Sequence, residues 1–324
     1  MTIDPATLLR ALRPDVPVSG SAIAAQLGVT RAAVCKQMQT LREHGAPIDA
    51  VTGKGYMLAF PYAPLDARSI RAQLDSATDR RLGQLEIRWQ VTSTNDQLLR
   101  DANTGAPDVS VCLAEWQSAG RGRRGRAWIA PIGASICFSL LKRFDVGVAA
   151  LSGLSLVAGI ALANALSDCG VTGFGLKWPN DVVVAGRKLA GILVEAGGEF
   201  LGPSHAVIGI GVNCRLPVGL ETGQPTTDLA RTCVGAPPSR DRLVARLITH
   251  LVTDLDRFAV DGFAPFAAQF APWDALAGDA VRVHTPVGVR DGIADGVDSR
   301  GALRVRHGET LALYDSAEIS VRVT

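Results

Sequence analysis

Residues Gln117–Trp128 read QSAGRGRRGRAW, a short segment that holds four arginines and three glycines. The glycines fit the G-x-G-x-x-G pattern of a dinucleotide-binding turn, which needs a strand before it and a helix after it. The alternating segment Ser110–Glu115 supplies a strand, but Pro131 and Gly133 lead into another strand-like segment that starts at Ser135. Because no helix follows, and because four arginines would crowd a pyrophosphate, the segment argues against a doubly wound dinucleotide fold.

The four arginines of this segment predict a different role. Arg121, Arg123, Arg124 and Arg126 repel one another, and the interleaved glycines leave the loop without a local scaffold. Guanidinium groups bind phosphate oxygens in a bidentate geometry, so a polyvalent anion would neutralise and order the loop. We therefore expect a lid over a phosphate-bearing ligand. A solvated loop without function and a nucleic-acid contact remain open as alternatives.

The segments around the loop mix strand and helix patterns. Successive strands follow one another as hairpins more often than in β-α-β order, which predicts an α+β domain with a mixed sheet. The predicted strands are residues 85–90, 110–115, 135–141, 175–178, 182–184, 189–195 and 206–212, and a long amphipathic helix is predicted over residues 240–258.

Residues 146–167 read VGVAALSGLSLVAGIALANALS and carry no charge, so they imitate a membrane span in length. The stretch is rich in Gly, Ser and Ala and has no aromatic residues at its ends. Small side chains permit close packing, so we expect a buried helix against the sheet.

The N-terminal 60 residues predict a winged helix-turn-helix. Three helices are expected at residues 5–12, 19–28 and 31–44, with Thr30 as an N-cap and a tight turn at Gly28. Residues 48–59 alternate around a glycine-containing turn and predict the hairpin that forms the wing. The third helix of such a unit enters the major groove, where Arg31, Lys36 and Gln37 would contact DNA.

The charge of this unit limits how it binds DNA. Residues 1–65 hold six Lys/Arg and four Asp/Glu, a small surplus for a protein that binds DNA alone. We expect operator binding through residues 19–59 of a homodimer, in which two weak half-sites add. A protein-contact role for the winged helix stays open.

The chain is predicted to divide into three domains: residues 1–65, 66–275 and 276–324. Residues 61–65, PYAPL, are typical of a linker. After Gly278, short alternating strands predict a small SH3-like β-barrel, with inward pairs that include Val287/Val289 and Ile319/Val321. Turns are expected at Asp295-Gly296 and at residues 299–301.

Composition narrows the class of protein. The net charge is +2, so no strong global field favours nucleic acid or acidic membranes. The N-terminus has no basic segment followed by an apolar one, and the six cysteines form no C-x-x-C pair. We expect a cytoplasmic protein with reduced thiols and no membrane partner.

A second segment, residues 177–195, reads KWPNDVVVAGRKLAGILVE and predicts a hairpin that turns at Ala185-Gly186. Lys188 opens the return strand beside apolar residues. A lysine at that position can point into a pocket, where its charge is costly unless an anion meets it.

The segments QSAGRGRRGRAW, KWPNDVVV and RKLAGILVEA, in this order, resemble those of the biotin–protein ligases. With a winged helix in front, the chain is similar to the bifunctional family of biotin ligases and biotin-operon repressors. Residues 93–95 (STN), 208–213 (IGIGVN) and the ending 318–322 (EISVR) also match. The resemblance covers nearly the whole chain.

The resemblance implies an activity. Such enzymes use ATP and Mg²⁺ to join the biotin carboxylate to AMP, and then transfer biotin to a lysine of a biotin carboxyl carrier protein. It implies that Lys188 lies between the carboxylate and the α-phosphate, and that Arg121, Gly122 and Arg123 belong to the loop that closes over the intermediate. Arg123, Lys188 and Asp181 are then the catalytic candidates. Asp181 has a second interpretation, as a turn-capping residue after Pro179-Asn180.

The resemblance also implies a set of binding residues. Short polar groups surround the ureido head, Trp128 lines the valeryl chain or adenine, Arg124 and Arg126 add positive charge, and Asn213 contacts phosphate or metal. Apart from this contact of Asn213, no side chain is assigned to a metal, and residues 214–238 match the loop that covers adenosine. A ligand-promoted dimer would then bind operator DNA. The polar groups around the ureido head are Ser93, Thr94, Asn95 and Gln117.

A lipoate or octanoate ligase and a repressor without catalytic activity remain the alternatives.

Overall fold

The computed structural model of the chain describes residues 3–285, 288–315 and the backbone of 320–323. Its N-terminal part is the predicted winged helix-turn-helix. The elements are α1 (Pro5–Arg10), α2 (Gly20–Leu27), α3 (Arg31–Glu43), β1 (Ile48–Val51) and β2 (Gly55–Leu58).

Local capping explains where these helices begin and end. The side chains of Asp4, Ser19 and Thr30 accept hydrogen bonds from the first-turn amides of α1, α2 and α3. Gly28 ends α2 with a φ of 65°, a left-handed conformation that glycine adopts without strain. The tight turn between α2 and α3 therefore follows directly from the sequence.

The central part contains a seven-stranded sheet with helices packed on it. The helices are α4 (Ala67–Arg71), α5 (Ser76–Arg81), α6 (Thr94–Asn103), α7 (Leu154–Asp168), α8 (Leu229–Thr232), α9 (Arg240–Asp261) and α10 (Ala267–Phe270). The strands are β3 (Gln84–Val91), β4 (Ser110–Gln117), β5 (Ser135–Phe144), β6 (Phe174–Lys177), β7 (Asp181–Val184), β8 (Arg187–Gly198) and β9 (Ser204–Asn213).

The strand order is β3-β4-β5-β9-β8-β7-β6, with β3 and β4 parallel and the other neighbours antiparallel. This confirms the predicted α+β class with a mixed sheet. The sequence prediction did not include α6, which crosses from β3 to the parallel β4. Leu98 and Ala102 are its buried apolar residues, and the rest of its buried face is the polar pair Thr94 and Asn95, so few apolar residues mark the helix in the sequence.

The uncharged segment forms a buried helix, as predicted, but α7 (Leu154–Asp168) begins eight residues into the segment and ends one residue beyond it. Gly159 of α7 faces Ile192 and Leu176, and a methyl group there would lie 3.6 Å from each, so small residues do bring the helix close to the sheet. Across the described residues, no helix combines the length and apolar character that crossing a bilayer needs.

The C-terminal strands form a sheet in the order β13-β12-β11-β10-β14. The prediction of an SH3-like barrel is confirmed only as far as this antiparallel sheet, because β13 and β14 are its two edges and the described strand pairings leave it open. The strands are β10 (Ala280–Thr285), β11 (Gly288–Val297), β12 (Leu303–His307), β13 (Thr310–Tyr314) and β14 (Ser320–Val323).

The turn predicted at Asp295-Gly296 is wrong, although the turn at residues 299–301 is present. The strand β11 continues through Asp295-Gly296 with a register shift between Ala294 and Val297, and Gly296 has a φ of 77°. The glycine therefore produces a bulge rather than a chain reversal. Val287, Glu318 and Ile319, used in the sequence argument, lie outside the described residues.

The predicted linker is held firmly against the central part. The Tyr62 hydroxyl donates to Glu115 Oε2 at 2.7 Å, and the Arg240 guanidinium binds both oxygens of that carboxylate. Glu115 is buried, and burial together with this carboxylate raises the pKa of Tyr62. The three-domain division at residues 65 and 275 stays a prediction.

Candidate active site

A cavity opens where the N-terminus of α6, the end of β4, the arginine loop and strands β7 to β9 meet. It brings together nine of the predicted site residues: Ser93, Thr94, Asn95, Gln117, Arg121, Gly122, Arg123, Trp128 and Lys188. Asn180, Cys137 and glycines of β8 and β9 complete the wall. Arg124, Arg126, Asp181 and Asn213 do not line it.

Buried polar side chains form one end of the cavity. The parallel pairing of β3 and β4 places the start of α6 beside the carboxyl end of β4. As a result, the Thr94 backbone N–H donates to Gln117 Oε1 at 2.8 Å. Ser139 Oγ lies 2.7 Å from Thr94 Oγ1 and 2.6 Å from Asn95 Oδ1. These donors and acceptors suit a small, strongly polar head group such as a urea.

The arginine loop is a small hairpin. The Gly122 amide donates to the Arg126 carbonyl at 2.7 Å, and the Trp128 amide donates to the Gly120 carbonyl at 2.8 Å. Arg124 has a φ of 58° at the tip, where it and Arg126 are exposed. The two ends of the loop therefore converge beside the cavity, while two of the four arginines point to solvent.

Carboxylates that the sequence argument missed neutralise part of the loop's charge. The Arg121 guanidinium donates to Asp96 and, at 2.9 Å, to Glu195 Oε2. Asp96 belongs to α6 and Glu195 to β8, so only the fold brings them to the loop. In the sequence, Asp96 directly follows the STN segment and Glu195 ends the LVE segment, and this proximity is the signal that could have found them.

Arg123 is half-buried at the cavity wall, and its Nη1 donates to Asn180 Oδ1 at 3.2 Å. Burial, and then the nearby Arg124 guanidinium, lower the pKa of Arg123 from its ordinary value. An anion bound in the cavity would offset both effects. Asn180 was not predicted. Its Nδ2 donates to the Ile192 carbonyl at 2.8 Å, which fixes the side chain on β8.

Lys188 and Asp181 form an ion pair, with 2.7 Å between Nζ and Oδ1. Lys188 is mostly buried, and its ammonium also lies 5.7 Å from the centroid of the Trp128 ring. Asp181 opens β7 and Lys188 pairs with Val183 of the same strand, so the pairing of β7 with β8 brings the two charges together. In this arrangement the Asp181 carboxylate serves the lysine.

Glycines on β8 and β9 make room for the Trp128 ring. A methyl group on Gly211 would come within 2.4 Å of Trp128 ring carbons, and one on Gly191 within 3.3 Å. The indole therefore packs closely against these two strands and lines the cavity. These glycines were visible as LAGIL and IGIGVN, but only the packing gives them a role.

Asn213 lies outside the cavity. Its Nδ2 donates to the Lys188 carbonyl at 3.3 Å and to the Thr227 carbonyl at 3.0 Å. The Lys188 amide in turn donates to the Pro225 carbonyl at 3.0 Å. Asn213 thus ties the 214–228 segment to the start of β8. Within the described residues, no group of three metal-ligating side chains is present.

Comparisons with known proteins agree with this geometry. Residues 87–213 match the biotin/lipoate A/B protein ligase family, and residues 6–57 match an HTH domain. The bifunctional ligase/repressor BirA of Salmonella typhimurium is 36% identical over 99% of this chain and 98% of its own. A biotin–[acetyl-CoA-carboxylase] ligase of Mycobacterium tuberculosis is 36% identical over 79% of this chain and 95% of its own.

The biotin protein ligase of Aquifex aeolicus, solved with biotin and ATP, has the same fold. Its TM-score is 0.63 at 24% identity, over 74% of this chain and 99% of that one. The near full-length match to the Salmonella protein extends from the winged helix to the last strands. The chain belongs to the BirA family of bifunctional ligase/repressor proteins.

Proposed function

We propose that the protein is an ATP-dependent biotin–protein ligase that also acts as a biotin-responsive transcriptional repressor. The observation that carries the enzymatic part is the cavity itself. It places two cations, Lys188 and Arg123, beside a polar end formed by residues 93–95 and Gln117. A ligand with a urea head and a carboxylate tail fits this distribution of charge.

In the first step, a carboxylate oxygen of biotin attacks the α-phosphorus of ATP. The bond to the bridging oxygen breaks, and pyrophosphate leaves. Two anions must approach each other, so Lys188 and Arg123 lower the barrier by offsetting their repulsion and the charge that builds at the phosphorus. Lys188 lines the cavity while it is paired with Asp181, so a bound phosphate can compete with Asp181 for its ammonium group.

In the second step, the amine of a carrier-protein lysine attacks the carbonyl carbon of biotinyl-AMP. An amide bond forms, and AMP leaves with the electrons of the anhydride bond. Asp181 is freed from Lys188 when a phosphate takes its place, and its carboxylate can then orient the amine and accept its proton.

The remaining predicted residues bind biotin and protect the mixed anhydride from water. Ser93, Thr94, Asn95 and Gln117 hydrogen-bond the ureido head, and Trp128 covers the valeryl chain. The loop of Arg121, Gly122 and Arg123 excludes water from the mixed anhydride. Arg124, Arg126 and Asn213 do not line the cavity. We propose that the two arginines add to the positive electrostatic potential of the loop, and that Asn213 holds residues 214–228 in place.

Mg²⁺ fits this chain as an ion that arrives with ATP. Magnesium takes most of its ligands from phosphates and water, so it needs no cluster of protein carboxylates, and the described residues offer none. When bound, it would neutralise phosphate charge. We assign it no protein ligand.

The regulatory part rests on the N-terminal unit. Arg31 and Lys36 are exposed on α3 and Gln37 is half-exposed, so residues 19–59 present a basic helix and a wing to operator DNA. We propose a homodimer that biotinyl-AMP promotes. Phe200 and Leu201, on the turn between β8 and β9, are 72% and 84% exposed and supply an apolar surface for it. We also propose that the protein acts in the cytoplasm.

The enzymatic proposal is tested by mass spectrometry of the protein with biotin, ATP and Mg²⁺. We expect bound biotinyl-AMP, and no equivalent adenylate with octanoate or lipoate. Adenylate from octanoate alone would favour a lipoate-type ligase. No adenylate at all would favour a repressor without catalysis.

The regulatory proposal is tested by operator binding with and without biotin and ATP. We expect tighter binding, and a shift to dimer in sedimentation, when both substrates are present. Equal affinity in both conditions would contradict ligand-promoted repression.

A further inference from the structure

The orientation of the Asn95 amide is fixed by a carboxylate outside the predicted site. Asn95 Nδ2 donates to Glu195 Oε2 at 2.8 Å and to the Leu193 carbonyl at 3.3 Å. Both partners are acceptors only, so the NH₂ group must face them. The carbonyl oxygen of Asn95 is therefore turned the other way, toward Gly209, which lines the cavity as Asn95 itself does.

This orientation sets the direction of the neighbouring hydrogen bonds. Asn95 Oδ1 is an acceptor, so the Ser139 hydroxyl, 2.6 Å away, must donate to it. The Ser139 hydroxyl has one hydrogen, so the 2.7 Å contact between Ser139 Oγ and Thr94 Oγ1 must take its hydrogen from Thr94, in preference to the longer 3.2 Å contact of Thr94 with Gln117 Oε1. Ser139 and Asn95 are buried, so water does not compete for these bonds.

The same carboxylate oxygen also holds the lid. Glu195 Oε2 accepts from Arg121 Nη2 at 2.9 Å, and Asp96 binds the same nitrogen from the other side. Glu195 thus has two functions in one position, whereas Asp96 contacts the lid and has no hydrogen bond to Asn95. This difference provides a matched control.

We infer that Glu195 is a positioning residue of the biotin pocket: it presents Asn95 Oδ1 as an acceptor toward a ureido N–H, and it anchors the lid through Arg121. The inference rests on the proposed function, since it assigns the cavity to biotin. Ser139 transmits the orientation to Thr94. A urea has two N–H donors beside one carbonyl, so a preset acceptor selects it over head groups without donors.

The test compares Glu195→Ala, Glu195→Gln and Asp96→Ala in the full-length protein. For Glu195→Ala we expect the KM for biotin to rise by about tenfold, the size of one lost hydrogen bond, with the KM for ATP close to wild type. Glutamine can still accept from Asn95, so Glu195→Gln should restore the KM for biotin. Both Glu195→Gln and Asp96→Ala should release biotinyl-AMP about threefold faster, because partly exposed ion pairs contribute little.

If Glu195→Ala does not fold, the inference can be tested by moving the carboxylate from position 195 to position 95. Asn95→Asp places two carboxylates together and should raise the KM for biotin, and adding Glu195→Gln should reverse most of that rise. Equal KM values for biotin in Glu195→Ala and Asp96→Ala, or no rescue of Asn95→Asp, would overturn the inference. Absence of biotinyl-AMP in the wild type would instead count against the proposed function.

Discussion

At the residue scale, the chemistry depends on charges that are buried before any ligand arrives. Lys188 is 15% exposed and Asp181 22% exposed, so neither is fully solvated. A buried ion pair of this kind is a modest source of stability. The pair matters for function because a substrate group can replace either partner: a phosphate can take the place of Asp181, and an amine the place of Lys188.

Lys188→Gln removes the cation nearest the reacting groups but keeps most of the side chain. We expect adenylate formation to fall by about 100-fold or more, the usual loss for one electrostatic contact to the transition state. Pyrophosphate release in single-turnover experiments measures it. Lys177→Gln, two strands away on β6 and outside the cavity, is the matched control and should stay within about twofold; an equal loss would contradict the role of Lys188.

Asp254 of α9 is a carboxylate in an apolar setting. Burial raises its pKa to about 6, and its Oδ2 has no hydrogen-bond partner within the described residues. The folded state therefore binds the proton more tightly than the unfolded state does. Stability from this group is present at low pH and is lost as pH rises through about 6.

Asp254→Asn should remove that loss. We expect the variant to be more stable than wild type by about 1–2 kcal/mol at pH 8, with the difference vanishing toward pH 4. Urea denaturation at the two pH values measures it. A stability difference independent of pH would mean that packing, not ionisation, governs this position.

At the element scale, strands β8 and β9 make room for the site because they carry glycines, which have no side chains, where the cavity wall packs on them. Gly211 and Gly191 leave the space that the Trp128 ring fills, and Gly209 leaves space for the Asn95 amide. A side chain on any of them would displace a wall of the cavity. The helix α7 also uses a glycine, Gly159, but with ordinary contact distances around it.

Gly211→Ala should therefore impair the site more than the fold. The added methyl would lie 2.4 Å from the Trp128 ring, so the ring must move, and we expect the affinity for biotin to fall by about tenfold or more. Gly159→Ala is the control, since its nearest contacts are 3.6 Å. Alanine in a helix should stabilise it by about 0.5–1 kcal/mol. Calorimetric titration and thermal unfolding measure the two effects.

The recognition helix α3 keeps its cations apart from its core face. Val34, Met38 and Leu41 are buried, and Lys36 is exposed. Lys36→Ala should weaken operator binding and reduce the salt dependence of the affinity by about one ion, with adenylate formation retained. Arg290→Ala, exposed on the C-terminal sheet, should leave DNA binding as in wild type. Fluorescence anisotropy across a salt series distinguishes them.

At the scale of the whole molecule, the linker is part of the structure. Glu115 on β4 binds Tyr62, Arg240 and the Leu65 amide, so the linker, the sheet and α9 meet at one buried carboxylate. The C-terminal sheet is attached differently, through the Trp178 indole, which donates to the Gly301 carbonyl at 3.1 Å.

Glu115→Gln leaves the mostly buried Arg240 without its counter-charge. We expect the free energy of unfolding to fall by about 3 kcal/mol. The matched control is Asp291→Asn, which breaks the exposed Arg282–Asp291 pair; a much smaller loss is expected there, because water and salt screen exposed charges. If both variants lost a similar free energy of unfolding, the buried contacts of Glu115 would contribute no more than a surface ion pair.

The sequence by itself determined the features that local chemistry dictates. Caps and a left-handed glycine set the helix-turn-helix, alternation set the strands, and the order of the glycine-arginine and KWPND segments identified the family. Nine of the predicted site residues line one cavity, because the motifs that carry them end on neighbouring strands. The turn at Asp295-Gly296 was wrong, since a glycine in a strand produces a turn or a bulge depending on pairing with a partner strand.

Only the tertiary structure decided which charges meet. Asp96 lies on α6, Asn180 on the turn before β7 and Glu195 on β8, and their places in the sequence do not show that they contact the arginine loop. Strand pairing brings Asp181 to Lys188, and the crossover of α6 brings Asn95 to Glu195. Contacts between residues far apart in the chain depend on register and topology, which local patterns do not encode.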